Sequence, residues 1–248
     1  MDEVLIITGA SRGIGAATAR IAGRSGYVVC VNYLKNKAAA KQIVEEIKAD
    51  GGRALAVGAN ISREDEVVKL FRTVDDKLGK ISALVNNAGI LETQMRIEDM
   101  NAARLNRVFL TNITGSFLCA REAVKRMSTK NGGKGGAIVN VSSAAARLGS
   151  AGEYVDYAAS KGAVDTFTRG LAQEVAGEGI RVNAVRPGVI DTDIHASGGE
   201  PGRVERVKAS IPMKRGGSAE EVAKAIMWLL SSESSYTTGS LLEVSGGR

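Results

Sequence analysis

Short apolar runs bounded by glycine alternate with stretches of helical period along the first third of this chain. Glu3–Thr8, Tyr27–Tyr33, Arg53–Gly58 and Ile81–Asn86 are continuous and rich in branched apolar residues, the pattern of strands covered on both faces. Between them residues 16–22, 36–50 and 63–78 predict helices, with Gly51, Gly52 and Gly79 as stops. Further on, a helix over about 98–127 leads through the flexible connection Gly132–Gly136 into the strand Ala137–Val141, and a second long helix spans about 153–177. Ser218, with Glu221 three residues later, opens a capped helix to Leu230 on which Met227 and Trp228 read as core, and Leu241–Val244 reads as an edge strand. This rhythm continues without a break in composition. It predicts one α/β domain over residues 1–248, an open parallel sheet with helices on both faces.

The chemistry sits at the ends of these strands. Gly9-Ala-Ser11-Arg12-Gly13-Ile14-Gly15 links the first strand to its helix, where free N–H groups and the helix dipole attract a phosphate and the glycines allow close approach. The spacing Gly-x-x-x-Gly-x-Gly differs from the commoner dinucleotide fingerprint. The second strand ends at Asn32-Tyr33-Leu34-Lys35-Asn36-Lys37, beside the expected adenosine ribose. No acid is present there to repel a 2′-phosphate, and Arg12, Lys35 and Lys37 suit one. NADP(H) is therefore expected over NAD(H). Asn60 and Ile61, and Asn87, Ala88 and Gly89, follow the third and fourth strands, where ligands of such sheets bind.

The strand Ala137–Val141 delivers Ser142 and Ser143, and the helix after it carries Tyr157 and Lys161. Four residues apart, the two share a helix face, and an ammonium there is expected to lower the tyrosine pKa toward working pH. Tyr154 competes for the role, but lies roughly 10 Å along the axis from Lys161 at ~1.5 Å per residue. Tyr157 is better placed.

Composition narrows the classes. A 44% apolar and 24% charged chain of 248 residues is ordinary for a globular protein, and no run approaches a membrane span. A cytoplasmic location is expected. Cys30, Cys119 and the lone His195 do not make a metal site or a Ser-His-Asp triad. The net charge of +6 is spread along the chain without a basic run, and aromatics are only 4%, so no nucleic-acid surface is expected.

In chain order, Thr8-Gly9-x-x-x-Gly13-x-Gly15, Asn86-Asn87-Ala88-Gly89, Asn112, Ser143, Tyr157-x-x-x-Lys161 and Pro187-Gly188 resemble the short-chain dehydrogenase/reductase family, especially 3-oxoacyl-carrier-protein reductases and glucose 1-dehydrogenases. The resemblance covers essentially the whole chain. It implies a Rossmann-type doubly wound fold with a seven-stranded parallel sheet, and hydride transfer between NADP(H), or NAD(H), and a carbonyl or secondary alcohol substrate such as a sugar, a keto compound or a 3-oxoacyl group; the alternative is a cofactor-binding sensor or scaffold of the same fold without turnover. It also implies a tetrad in which Tyr157 is general acid and base, Ser143 binds the substrate oxygen, Lys161 holds the nicotinamide ribose and Asn112 anchors a water. Gly9, Ser11, Arg12 and Ile14 match positions around the phosphates and adenosine, and Pro187, Gly188, Val189, Ile190 and Thr192 match those at the nicotinamide end. Residues 193–215 form the expected substrate lid. Its basic residues Arg203, Arg206, Lys208, Lys214 and Arg215 could favour an anionic substrate or face solvent. The long helices resemble those that pair subunits, usually as homotetramers, or as dimers.

Overall fold

The computed structural model describes residues 3–248. Seven strands form one all-parallel sheet among the described residues: β1 (Val4–Ile7), β2 (Val28–Tyr33), β3 (Arg53–Gly58), β4 (Ile81–Asn86), β5 (Gly136–Val141), β6 (Ile180–Pro187) and β7 (Leu241–Val244). Their order is β3-β2-β1-β4-β5-β6-β7, so the winding direction reverses between β1 and β4. A crevice opens at the carboxyl ends of the strands at that switch point. Two clusters of buried residues cover the sheet, one on each face, and β1 contributes alternately to both: Leu5 and Ile7 to one, Val4 and Ile6 to the other. This alternation explains why its sequence is apolar at every position.

Helices α1 (Gly13–Arg24), α2 (Lys37–Ala49) and α10 (Ala219–Leu230) flank the first cluster. The second is covered by α3 (Glu64–Lys77), α5 (Gly115–Met127) and α7 (Val155–Val175). Helix boundaries follow the expected signals: Asn36 caps α2, and Ser218 with Glu221 forms the capping box of α10.

Several expectations change. The helix expected from residue 98 starts as α4 (Ala102–Phe109), capped by Asn101, and passes through a π-helical turn over Leu110–Thr114 before continuing as α5. Such turns concentrate at functional positions, and this one carries Asn112. The glycine-rich connection into β5 is packed closely: a Cβ on Gly133 would lie 2.3 Å from the Met127 carbonyl, and one on Gly135 would lie 2.4 Å from that of Gly179. These glycines serve contact more than flexibility. Trp228 is 40% exposed and is not core, whereas Met227 packs against the core as expected.

The lid region contains two short helices, α8 (Ile194–Ser197) and α9 (Arg203–Val207). Its two ends are stitched together where Asp191 N–H donates to the Gly217 carbonyl at 2.8 Å and Gly217 N–H to that of Val189 at 2.9 Å. No helix of the described residues is long and apolar enough to cross a membrane.

Candidate active site

A cleft of about 950 Å³ runs along the carboxyl ends of the strands. At one end β1 turns into α1. Gly9 and Gly13 adopt positive φ, 62° and 54°, and a Cβ on Gly9 would sit 2.9 Å from the Ala88 Cα. Gly15 is constrained differently: its Cβ would collide with the Asn87 side chain at 2.5 Å. That side chain donates to the Thr8 and Gly9 carbonyls, while the Thr8 hydroxyl accepts from the Asn87 and Ala88 N–H groups. The β1 and β4 loops are thus tied face to face beneath the start of α1.

Gly9, Ser11, Arg12, Gly13 and Ile14 line this end, with Asn60, Ile61, Asn87, Ala88 and Gly89 along one side and Pro187, Gly188, Val189, Ile190 and Thr192 along the other. Gly15, Tyr33 and Asn112 are not on the wall. The Tyr33 ring instead covers Gly58, within 3.1 Å of where a Cβ would stand. Wall residues not foreseen from sequence as ligand contacts include Leu34, Asn36, Leu91, Leu148, Glu153, His195 and Arg248. Asn32, also on the wall, bridges strands: its side chain accepts from Gly9 N–H and donates to the Val57 and Ala59 carbonyls. Lys35 is on the wall but Lys37 is not, and Arg12 donates to the Ser197 hydroxyl at 3.1 Å.

At the other end Ser143, Tyr157 and Lys161 converge. Ser143 leaves β5, and its hydroxyl accepts from Ala145 N–H, turning the chain into α6 (Ala145–Leu148). Gly149 and Ser150, both at positive φ, complete the connection to α7. The Lys161 ammonium is 5.5 Å from the Tyr157 ring centre and donates to the Val141 carbonyl at 2.7 Å. Asn112 approaches from the π turn, accepting from Ile90 N–H and donating to the Ile90 carbonyl and the Ser160 hydroxyl. A Cβ on Gly89 would fall 3.4 Å from the Asn112 carboxamide oxygen and 3.5 Å from the Lys161 nitrogen, so the lysine and asparagine meet across a glycine. Asn112 here holds the Ile90 backbone and the Ser160 side chain. Ser142 is structural: its hydroxyl donates to the Lys161 carbonyl.

Electrostatics correct one expectation. Burial pushes Tyr157 up to about 12, with a weaker pull downward from its hydrogen bond to Ser143, and the lysine does not offset it. Burial also brings Lys161 down to about 8, opposed by the carboxylate of Asp165 one turn along α7. Desolvation therefore outweighs the Tyr157–Lys161 attraction expected from spacing.

Over the catalytic end, ion pairs join the lid to the loop before α7. Arg203 reaches Glu153 at 2.5 Å and Glu200 at 3.0 Å, its guanidinium lies 5.1 Å from the Tyr154 ring centre, and Arg206 bonds both acids. Lys208 pairs with Glu205, Arg215 with Glu221, and Lys214 donates to the Ala209 carbonyl. All five basic lid residues are thus engaged within the chain.

A positive-φ glycine loop at a helix N-terminus, at the switch point of a parallel sheet and leading to a Ser-Tyr-Lys cluster, fits a dinucleotide. The comparisons agree. A family model described as enoyl-(acyl carrier protein) reductase matches residues 9–248. The chain belongs to the short-chain dehydrogenase/reductase family. It is 60% identical over 245 residues to an uncharacterized oxidoreductase of Escherichia coli, covering 99% of each chain. It is 42% identical over 250 residues to a 3-oxoacyl-[acyl-carrier-protein] reductase of Synechocystis, covering 99% and 96%, and 38% identical over 245 residues to glucose 1-dehydrogenase 2 of Bacillus subtilis, covering 99% and 94%. A double mutant of a Serratia marcescens short-chain dehydrogenase/reductase superposes with a TM-score of 0.90 at 29% identity, covering 99% of this chain and 97% of that one. The protein is an NAD(P)-dependent oxidoreductase of this family.

Proposed function

We propose that the protein interconverts a small, uncharged carbonyl compound and its secondary alcohol with NADP(H) as the preferred cofactor. The cofactor, when bound, supplies or accepts the hydride. The residues of this chain do the rest. Ser143 and Tyr157 hold the substrate oxygen by their hydroxyls, and Tyr157 gives or takes its proton. A tyrosine kept neutral by burial is ready to donate in the reducing direction. Lys161, still charged below about pH 8, provides positive charge beside the forming phenolate and a donor toward the cofactor ribose. Asn112 keeps Ile90 and the helix carrying Lys161 in register.

The preference for NADP(H) is carried by one observation: Arg12 and Lys35 stand in the cleft wall with no carboxylate bonded to either among the described residues, and no acid ends β2. Leu34, 58% exposed in the same wall, offers an apolar face to an adenine. An uncharged substrate is favoured because four of the five lid cations, Arg203, Arg206, Lys208 and Arg215, are already paired with Glu153, Glu200, Glu205 and Glu221. The test is a fluorescence titration with NADPH and NADH. Tighter NADPH binding by at least tenfold, lost in Arg12→Ala/Lys35→Ala, is expected. Equal affinities would remove the 2′-phosphate reading.

We also propose self-association through α5 and α7. Phe117, 46% exposed, stacks on Phe167 with ring centres 3.7 Å apart, bordered by Ala163, Gly170 and Leu171. An apolar helical face of this kind suits a second copy in a homodimer or homotetramer. Two buried reduced cysteines fit a cytoplasmic setting.

A further inference from the structure

The lid carries a small apolar cluster of its own. Val204, Val207 and Ile211 pack on Val189 at its foot and join neither of the clusters that cover the sheet. The roots of the lid are held by backbone, through the bonds of Gly217 to Asp191 and Val189 and through Met213 N–H, which donates to the Gly246 carbonyl at 3.2 Å. The stretch between them covers the cleft. Thr192, Asp193, Ile194, His195 and Arg203 belong to its wall, and a Cβ on Gly13 would stand 3.5 Å from the Thr192 side chain, so the lid reaches the glycine loop.

What holds this stretch down is polar. None of residues 193–203 belongs to an apolar cluster among the described residues, so the hydrophobic effect contributes little to closure. The close apolar contact is made by backbone: a Cβ on Gly198 would lie 2.9 Å from the Leu91 side chain, and one on Gly199 would lie 3.1 Å from that of Thr93. Four side-chain bonds cross from the lid to the body. Arg203 and Arg206 reach Glu153 at 2.5 and 3.1 Å, Glu200 accepts from the Gln94 carboxamide at 2.6 Å, and Ser197 accepts from Arg12 at 3.1 Å. Glu153 is a fixed post, because its carbonyl accepts from Met95 N–H at 3.0 Å. Glu200, by contrast, lies within the lid and bonds both arginines there. The bond from Arg206, aided by Arg203, holds its carboxyl down to about 2, so it stays charged at working pH.

We propose that the lid is a gate latched by charge: Arg203 and Arg206, bonded to Glu153, hold it over the cleft, and rupture of those bonds limits how fast the dinucleotide leaves. This rests on the cofactor occupying that cleft. When the gate lifts about its roots, both arginines keep Glu200 as partner, so opening strands no bare guanidinium and water replaces the two bonds to Glu153. The latch responds unevenly to salt. Arg206 is 51% exposed and its bond to Glu153 is screened, whereas Arg203 is 11% exposed and its bond is screened less.

Two measurements test the gate. In cofactor-free protein, Leu91→Cys places a thiol beneath Gly198, and its reaction with a bulky uncharged maleimide reads opening, since Cys30 and Cys119 are buried. In the complex, NADPH dissociation is followed by chase. Glu153→Gln is expected to speed both about tenfold, the worth of two partly exposed ion-pair bonds. Raising sodium chloride from about 0.05 to 0.5 M should speed both about threefold in wild type, and less in Glu153→Gln. Glu205→Gln, which removes the Lys208–Glu205 pair inside the lid, should change neither. Trapping and dissociation unaltered by Glu153→Gln, a wild type indifferent to salt, or an equal effect of Glu205→Gln overturns the latch. Faster trapping with unchanged dissociation overturns the gating of the cofactor. If NADPH does not bind at all, the cofactor reading fails, and trapping alone still decides whether charge holds the lid.

Discussion

Asp156 and Arg104 form a buried ion pair directly beneath the tyrosine that the proposed chemistry needs. Their side chains are 1% and 4% exposed, with Nε to Oδ2 at 2.7 Å and a second bond at 3.3 Å. The other Asp156 oxygen also accepts from Tyr157 N–H at 2.9 Å, and the remaining arm of Arg104 donates to the Thr93 carbonyl at 2.7 Å. Asp156→Ala would strand a guanidinium in the interior and free the first turn of α7. Breaking a buried pair from one side costs about 3–5 kcal/mol. With an unfolding entropy of roughly 2.1 cal/mol/K per residue, a chain of 248 residues should melt about 6–10 °C lower. Arg104→Met/Asp156→Leu replaces the pair by apolar volume and should recover most of the loss, short of about 1–2 kcal/mol for the orphaned Thr93 carbonyl. Thermal and urea unfolding of both variants measure this. A cost below ~1 kcal/mol for Asp156→Ala, the value of an exposed pair, would refute the argument.

Other expectations concern charge and assembly. Because Lys161 titrates near 8, kcat for reduction should fall as the pH rises through that value. Asp165 raises the lysine pKa and is itself bonded by Arg186 at 2.7 Å, so Asp165→Asn should move the alkaline limb down by about one unit and Arg186→Met should move it up. Shifts in the same direction would break this assignment. For stability the sign is opposite: from about 8 to 10.5 the unfolded chain keeps a proton that native Lys161 has released, so this group's contribution rises with pH across that window. Phe117→Glu, which charges the stacked apolar face, should reduce the sedimentation coefficient toward that of a single chain, and an unchanged value would place self-association elsewhere.

The parts of the site that were legible in the sequence are those fixed by local spacing. The Gly9–Gly15 loop, Ser143 after its strand and Tyr157 with Lys161 on one helix each declare their geometry within a few residues. β6 was less visible, because Arg181, Asn183 and Arg186 interrupt its apolar pattern. Those side chains are taken up by distant partners, Arg181 by carbonyls at the end of α10, Asn183 by Thr237 and Arg186 by Asp165. The ion pairs that tie the lid to the loop before α7 join residues about fifty positions apart, Arg203 and Arg206 to Glu153, so no local pattern announces them. Burial at Tyr157 and Lys161 likewise depends on how β5, the π turn and α7 close together. Spacing alone predicted the attraction and missed the larger desolvation.

The central claim is that Tyr157 transfers the proton while other residues hold the cofactor. The most direct measurement is single-turnover reduction of dihydroxyacetone by wild type and Tyr157→Phe, each preloaded with NADPH at a measured affinity. Removing the group that transfers the proton typically costs about 10²–10⁴-fold in rate. The account predicts a loss of that size with NADPH affinity changed less than about threefold. A Tyr157→Phe protein that binds NADPH and reduces the substrate within tenfold of the wild-type rate would contradict it.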